Sequence, residues 1–161
     1  MAEEKQAAAT PPHAPVGRGE ASAEADVAAW IALARANRRA MRLIEGRLKQ
    51  AGLPQLAWYD VLWELERAGA DGLRPFALER RLLFEQYNLS RLADRMAKAG
   101  LVERRACAED GRGHMLAITE QGREMRERMW AVYRPAIAAV IGSSLSLAEK
   151  AVLAGLLDRT G

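Results

Sequence analysis

The sequence predicts a mainly α fold carrying one small β-hairpin, on three observations. Apolar residues recur at helical spacing in successive segments between residues 23 and 157. Two short runs, residues 101–106 and 114–118, have strand length instead, with Asp110-Gly111-Arg112-Gly113 between them as turn chemistry. Glycine and proline gather where one segment gives way to the next.

Residues 1–22 mix Ala, Pro, Gly and charge without apolar periodicity. They are expected to form a disordered tail, because nothing there offsets the entropy of ordering it. His13 lies in that tail with no second ligand for a metal. Residues 23–50 read as the first helix, with Val27, Ile31, Ala34, Met41, Ile44 and Leu48 as its apolar stripe and Trp30 beside it. Arg35, Arg38, Arg39, Arg42 and Arg47 occupy the other side, and Gly52 ends the helix. Residues 56–68 form the second helix, whose core stripe is Trp58, Val61, Leu62 and Leu65. Tyr59 and Trp63, four residues apart, are neighbours on another face and fall outside that stripe.

Gly69 and Gly72 mark the exit, and Leu73-Arg74 suits a minimal strand pairing with the hairpin. Pro75 opens a third helix, where Phe76, Leu78 and Leu82 are expected to pack under a fourth. Thr119 is an N-cap for a long helix over residues 120–141, with Met125, Met129, Val132, Ala136 and Val140 on its apolar face. Pro135 should kink it. Ser146-Leu147-Ala148-Glu149 is a capping box that starts a last helix, with Leu153, Leu156 and Leu157 for burial.

Residues 86–119 organise the rest. Leu89, Leu92, Ala93 and Met96 share one face of a helix, and Gly100 closes it. The opposite face carries Tyr87, Arg91 and Lys98, flanked by Asn88, Ser90 and Arg95. Such side chains bond base edges or phosphates, and a helix fits a major groove. The hairpin tip offers Arg112, suited to the negative potential of a narrow minor groove, with Asp110 two residues away to hold a guanidinium in position. A solvated charged turn is the plainer reading of the tip alone. Joined to the preceding helix, the pattern is that of a recognition helix and a wing.

From Tyr59-Asp60-Val61-Leu62 to Thr119-Glu120-Gln121-Gly122-Arg123 the chain resembles the MarR family (multiple antibiotic resistance regulator). The motifs that carry this are Ser90-Arg91-Leu92-Ala93-Asp94-Arg95-Met96, then Gly100-Leu101-Val102-Glu103-Arg104, then Asp110-Gly111-Arg112 with Leu116-Ala117-Ile118-Thr119. The resemblance implies a winged helix-turn-helix over about residues 54–121. It implies dimerisation helices over about 23–52 and 120–161, buried against a second subunit. It also implies an effector crevice at the junction of reading head and dimerisation helices, for which Trp30, Arg38, Tyr59 and Trp63 are the candidates and small aromatic acids the first ligand class; the plainer role of Tyr59 and Trp63 is packing between the two parts. One departure is Phe84-Glu85-Gln86-Tyr87-Asn88, where many members have a serine-rich N-cap, so the bases read do not transfer. The peroxide-sensing branch keeps its reactive cysteine in the N-terminal helices, and this chain has none there.

Composition sets bounds on these readings. With 50% hydrophobic residues the chain has ample material for a core, and a net charge of only +3 excludes a polycationic DNA coater. Basic residues are instead concentrated at Arg91, Arg95, Lys98, Arg104, Arg105 and Arg112. No apolar run reaches membrane-spanning length and no signal-peptide core opens the chain, which reads as soluble and cytoplasmic, with no membrane partner. His13 and His114 cannot build a histidine-rich metal site; no Walker A pattern, GxSxG elbow or HExxH exists, so no enzyme, cofactor or metal is expected.

The reading is of a homodimeric repressor of a near-palindromic duplex site. Gln86, Tyr87, Asn88, Ser90 and Arg91 are the base or groove readers, Arg95, Lys98 and Arg74 the phosphate contacts, and Arg112 the minor-groove probe. Asp110 supports the wing, while Asp94, three residues from Arg91 and four from Lys98, orients a neighbouring cation. Two alternatives stand: a winged-helix module that binds protein, and a redox switch through Cys107, whose thiolate the nearby Arg104 and Arg105 favour.

Overall fold

The computed structural model describes residues 18–83, 88–106, 114–142 and 144–160. Their order is α1 (Arg18–Gln50), α2 (Leu56–Ala68), a 3₁₀ turn (Gly69–Asp71), α3 (Pro75–Glu79), α4 (Leu89–Lys98), β1 (Val102–Ala106), β2 (His114–Ile118), α5 (Glu120–Ile137) and α6 (Leu147–Leu157). The mainly α fold with one hairpin is therefore as expected. Two compact units divide the chain, one ending at Asn37 and one running from Arg38 to Gly161.

In the first unit α1 already begins at Arg18, so residues 18–22, expected in the tail, are helical, and the rest of that expected tail, residues 1–17, lies outside the described residues. The Ala- and Glu-rich run over residues 20–29 has high intrinsic helix propensity and needs no apolar stripe, though Gly19 at the added turn does not favour it. Val27, Trp30, Ile31 and Leu33 are all exposed there.

The second unit has two cores. One joins Val61, Leu62 and Leu65 of α2 to Leu78 of α3, Leu89, Leu92, Ala93 and Met96 of α4, and Leu116 and Ile118 of β2. The other joins Ile44 and Leu48 of α1 to Leu56 and Tyr59 of α2 and Met129 and Ala136 of α5. Helix α2 thus lies between two packed faces. That overturns the expectation that Tyr59 stands outside the core, since it is only 8% exposed. Each leucine so buried contributes about 1.5–3 kcal/mol relative to exposure.

Caps fix the element ends. Gly100, at φ +74°, closes α4: its N–H donates to the Ala97 carbonyl and the Leu101 N–H to that of Met96, satisfying carbonyls the helix leaves open. The Thr119 hydroxyl accepts from the Gly122 N–H at the start of α5, and Ser146 and Glu149 form the expected reciprocal box at α6. At α2, the N-cap Gln55 makes no side-chain bond; Glu45 of α1 accepts from the Leu56 N–H instead, at 3.0 Å. The α-helix of α5 ends at Ile137, short of the expected residue 141, and one π turn (Ala138–Gly142) follows. Pro135 contributes no N–H to the ladder just before that change.

The hairpin is antiparallel, with Val102 opposite Ile118 and Ala106 opposite His114. As expected, Leu73 adds a minimal third strand, exchanging both backbone bonds with Leu116 at 2.8 Å. Gly72 makes this approach feasible. Its φ is +70° with ψ −163°, and a Cβ there would lie 2.2 Å from the Leu116 carbonyl oxygen. Gly72→Ala should therefore lower stability by about 2 kcal/mol or more, read as a shifted urea midpoint with α2 and α5 still helical. A midpoint unchanged from wild type would contradict this.

Candidate nucleic-acid interface

Helix α4 separates its two faces as the sequence implies. Leu89, Leu92, Ala93 and Met96 are buried, while Asn88, Ser90, Arg91, Arg95 and Lys98 are exposed. Arg91, Arg95 and Lys98 recur at i, i+4 and i+7, which stacks three cations along one strip of the helix. Among the described residues none of the three forms an ion pair. Arg95 also borders an open groove with Leu53, Pro54, Trp58 and Met125. Arg74, exposed, is the N-cap residue of α3.

Other cations in the region hold the scaffold. Asp94 orients a cation as expected, but that cation is Arg104 of β1, at 2.5 Å, and not Arg91 or Lys98. Arg105 grips Glu103 at 2.5 Å and donates to the Ala70 carbonyl at 2.6 Å, tying β1 to the turn after α2. Both pairs are exposed, so each contributes at most about 1 kcal/mol. They leave Arg91, Arg95 and Lys98 as the open positive strip of α4. Gln86, Tyr87, Cys107, Asp110 and Arg112 lie outside the described residues.

The candidate effector residues are partly assembled. Tyr59 and Trp63 stack with centroids 6.4 Å apart. The structure adds Trp130 and Tyr133 of α5: Trp130 stacks on Tyr59 at 5.9 Å, and Tyr133 meets Tyr59 edge-on at 5.2 Å. Arg126 sits 5.6 Å above the Trp63 ring and pairs with Glu66. This is the arginine the structure brings to the aromatics; Arg38 is exposed, and Trp30 belongs to the N-terminal unit. Burial pushes the Tyr59 hydroxyl above the usual tyrosine range, opposed by a hydrogen bond from Arg126 and its charge. Tyr133 is raised as well, by burial and by Tyr59.

A sequence signal for this cluster exists. Tyr59, Trp63 and Glu66 stand at i, i+4 and i+7 on α2, and Arg126, Trp130 and Tyr133 do so on α5. Two such stripes of matching length and complementary charge suit each other, but pairing them requires knowing that α2 packs on α5.

Phe76 departs from expectation: it is 70% exposed, not packed under α4, whereas Leu78 is fully buried and Leu82 partly so. The helix is only five residues long, and its inward positions go to Leu78 and, in part, Ala77. Among the described residues no single helix is long and apolar enough to cross a membrane.

Comparison with known proteins agrees with this architecture. Residues 51–113 match the model of the MarR family. The fold superposes on AbsC, a MarR family transcriptional regulator from Streptomyces coelicolor, with a TM-score of 0.74 at 23% identity, covering 90% of this chain and 93% of that one. Sco3205, a MarR family transcriptional regulator from the same organism solved in complex with DNA, gives a TM-score of 0.74 at 20% identity, covering 82% of each chain. Bordetella bronchiseptica BpsR, whose DNA binding is regulated by 6-hydroxynicotinic acid, gives 0.71 at 20% identity, covering 80% of this chain and 89% of that one. Residues 51–113, which hold α2, α3, α4 and β1, thus match the MarR family, and the chain has a MarR-like winged-helix fold.

Proposed function

We propose that the protein is a cytoplasmic homodimeric repressor that binds a near-palindromic duplex through α4. The observation that carries this is the strip of Arg91, Arg95 and Lys98, exposed and without ion pairs among the described residues, on a helix whose opposite face is locked into the core. Two such helices held about 34 Å apart reach successive major grooves. Asn88, Ser90 and Arg91 read bases with Gln86 and Tyr87, while Arg95, Lys98 and Arg74 meet phosphates and Arg112, supported by Asp110, enters the minor groove. Selection from a random duplex pool, followed by a salt titration, tests this. Binding should be saturable and fall steeply with salt. Arg91→Ala should cost about 1–3 kcal/mol on the selected duplex and less on random sequence. Equal losses on both would remove base reading from Arg91, and no saturable binding would favour a protein-binding module.

A second reading concerns control. Trp63 and Trp130 each turn part of their rings to solvent beside Arg126, and BpsR is a relative regulated by an aromatic acid. A flat anion bound there would compete with Glu66 for Arg126, and a preference of about 1.4 kcal/mol for a non-binding head separation lowers operator affinity tenfold. Small aromatic acids should then quench tryptophan fluorescence and release DNA, and Trp63→Ala should lose both responses while still binding DNA. Full response in Trp63→Ala would place the ligand elsewhere.

A further inference from the structure

Helix α3 carries an aromatic–arginine pair that neither reading uses. Leu78 fills the core, and Phe76 and Arg80, two residues to either side, lie about 160° round the helix axis from it, facing outward. Phe76 is 70% exposed, and the Arg80 guanidinium lies 5.8 Å from its ring centroid. Arg74 and Arg81 are exposed on the same short segment, against Glu79 alone, so its charge is positive. An arginine laid on a ring is biased toward that orientation before any partner arrives, which lowers the entropy lost when its fork engages an anion. Helix α3 packs directly on α4, and the first helix of a helix-turn-helix crosses the nucleic-acid backbone while the second enters the groove.

We propose that Arg80, positioned by Phe76, is a contact to the sugar-phosphate backbone of duplex DNA, with Phe76 packing on the sugar edge. This rests on the DNA-binding reading and extends the interface from α4 to α3. A phosphate contact carries no sequence information, so its loss weakens every duplex alike, unlike the loss of Arg91.

The test uses the full-length protein, the selected duplex and a random duplex, at salt between about 50 and 200 mM. Arg80→Gln should shrink the fall in affinity across that range by about threefold per subunit, equally on both duplexes, while Arg80→Lys keeps the wild-type slope. Phe76→Ala, which leaves the charge unchanged, should lower affinity about two- to fivefold on both duplexes, and Phe76→Trp should restore it. Both side chains are exposed, so helix content and melting should not change, and a role confined to folding would not move the salt slope. A wild-type slope in Arg80→Gln, with Arg91→Ala still weakening the selected duplex, would overturn this inference alone. Absence of saturable duplex binding by the wild type would overturn it together with the function on which it rests.

Discussion

Deletion of residues 143–161 is expected to leave a monomer and to lower affinity for the selected duplex by about two to four orders of magnitude. The 11 residues of α6 include no buried residue, although Leu147, Val152, Leu153, Leu156 and Leu157 make the helix strongly apolar. A capped, apolar helix that buries none of its side chains among the described residues is what the proposed homodimer would use as its half of an interface. Neither core cluster includes an α6 residue, so the truncated chain should keep its cooperative melt. The loss in DNA affinity follows from geometry: one reading head buries only about 600–1,000 Å², and a linked second head converts the next contact into an intramolecular one. Sedimentation velocity and gel shift on one preparation check both halves. A truncated protein that sediments as a dimer and binds normally would move the interface away from α6.

What was legible in the sequence was what local periodicity and capping determine. The stripe of Leu89, Leu92, Ala93 and Met96, the closing Gly100, the hairpin strands, the bridge at Leu73 and the Ser146–Glu149 box each depend on residues within a few positions of one another. What was missed depends on which elements meet. Tyr59 lies off the stripe of α2 but is buried, because α2 packs on a second core through α1 and α5, and one stripe cannot report two partners. Asp94 finds its cation ten residues away on β1, and Glu45 caps a helix that starts eleven residues later. Phe76 departs in the other direction: its apolar character suggests burial, yet in a five-residue helix the inward positions go to Leu78 and, in part, Ala77. The early start of α1 had no apolar pattern to reveal it, since Ala21 is the one apolar residue among residues 18–22.

Replacing Arg126 by methionine is expected to destabilise the protein by about 2–3 kcal/mol, because it strands a carboxylate. The Arg126 side chain is 13% exposed and that of its partner Glu66 28%, so the pair is largely removed from water, though less than a fully buried one. Methionine keeps most of the volume under Trp63 but removes the charge that pairs with Glu66, stacks on Trp63 and donates to the Tyr59 hydroxyl. If the stranded carboxylate is the main cost, adding Glu66→Gln should recover at least half of the loss in a urea melt. An alkaline titration gives an independent readout. Tyr59 and Tyr133 are raised above the ordinary tyrosine value of 10.0, so the neutral hydroxyls favour the folded state. Their contribution is intact below pH 10.0 and is lost as pH rises through the raised folded values. Arg126 acts against that rise at Tyr59, so in Arg126→Met the tyrosinate absorbance of Tyr59, assigned by comparison with a Tyr59→Phe background, should appear at higher pH than in wild type. A titration unchanged by the substitution, or a melt that Glu66→Gln does not rescue, would mean that Arg126 contributes by packing alone, leaving the α2–α5 junction held by its aromatic rings.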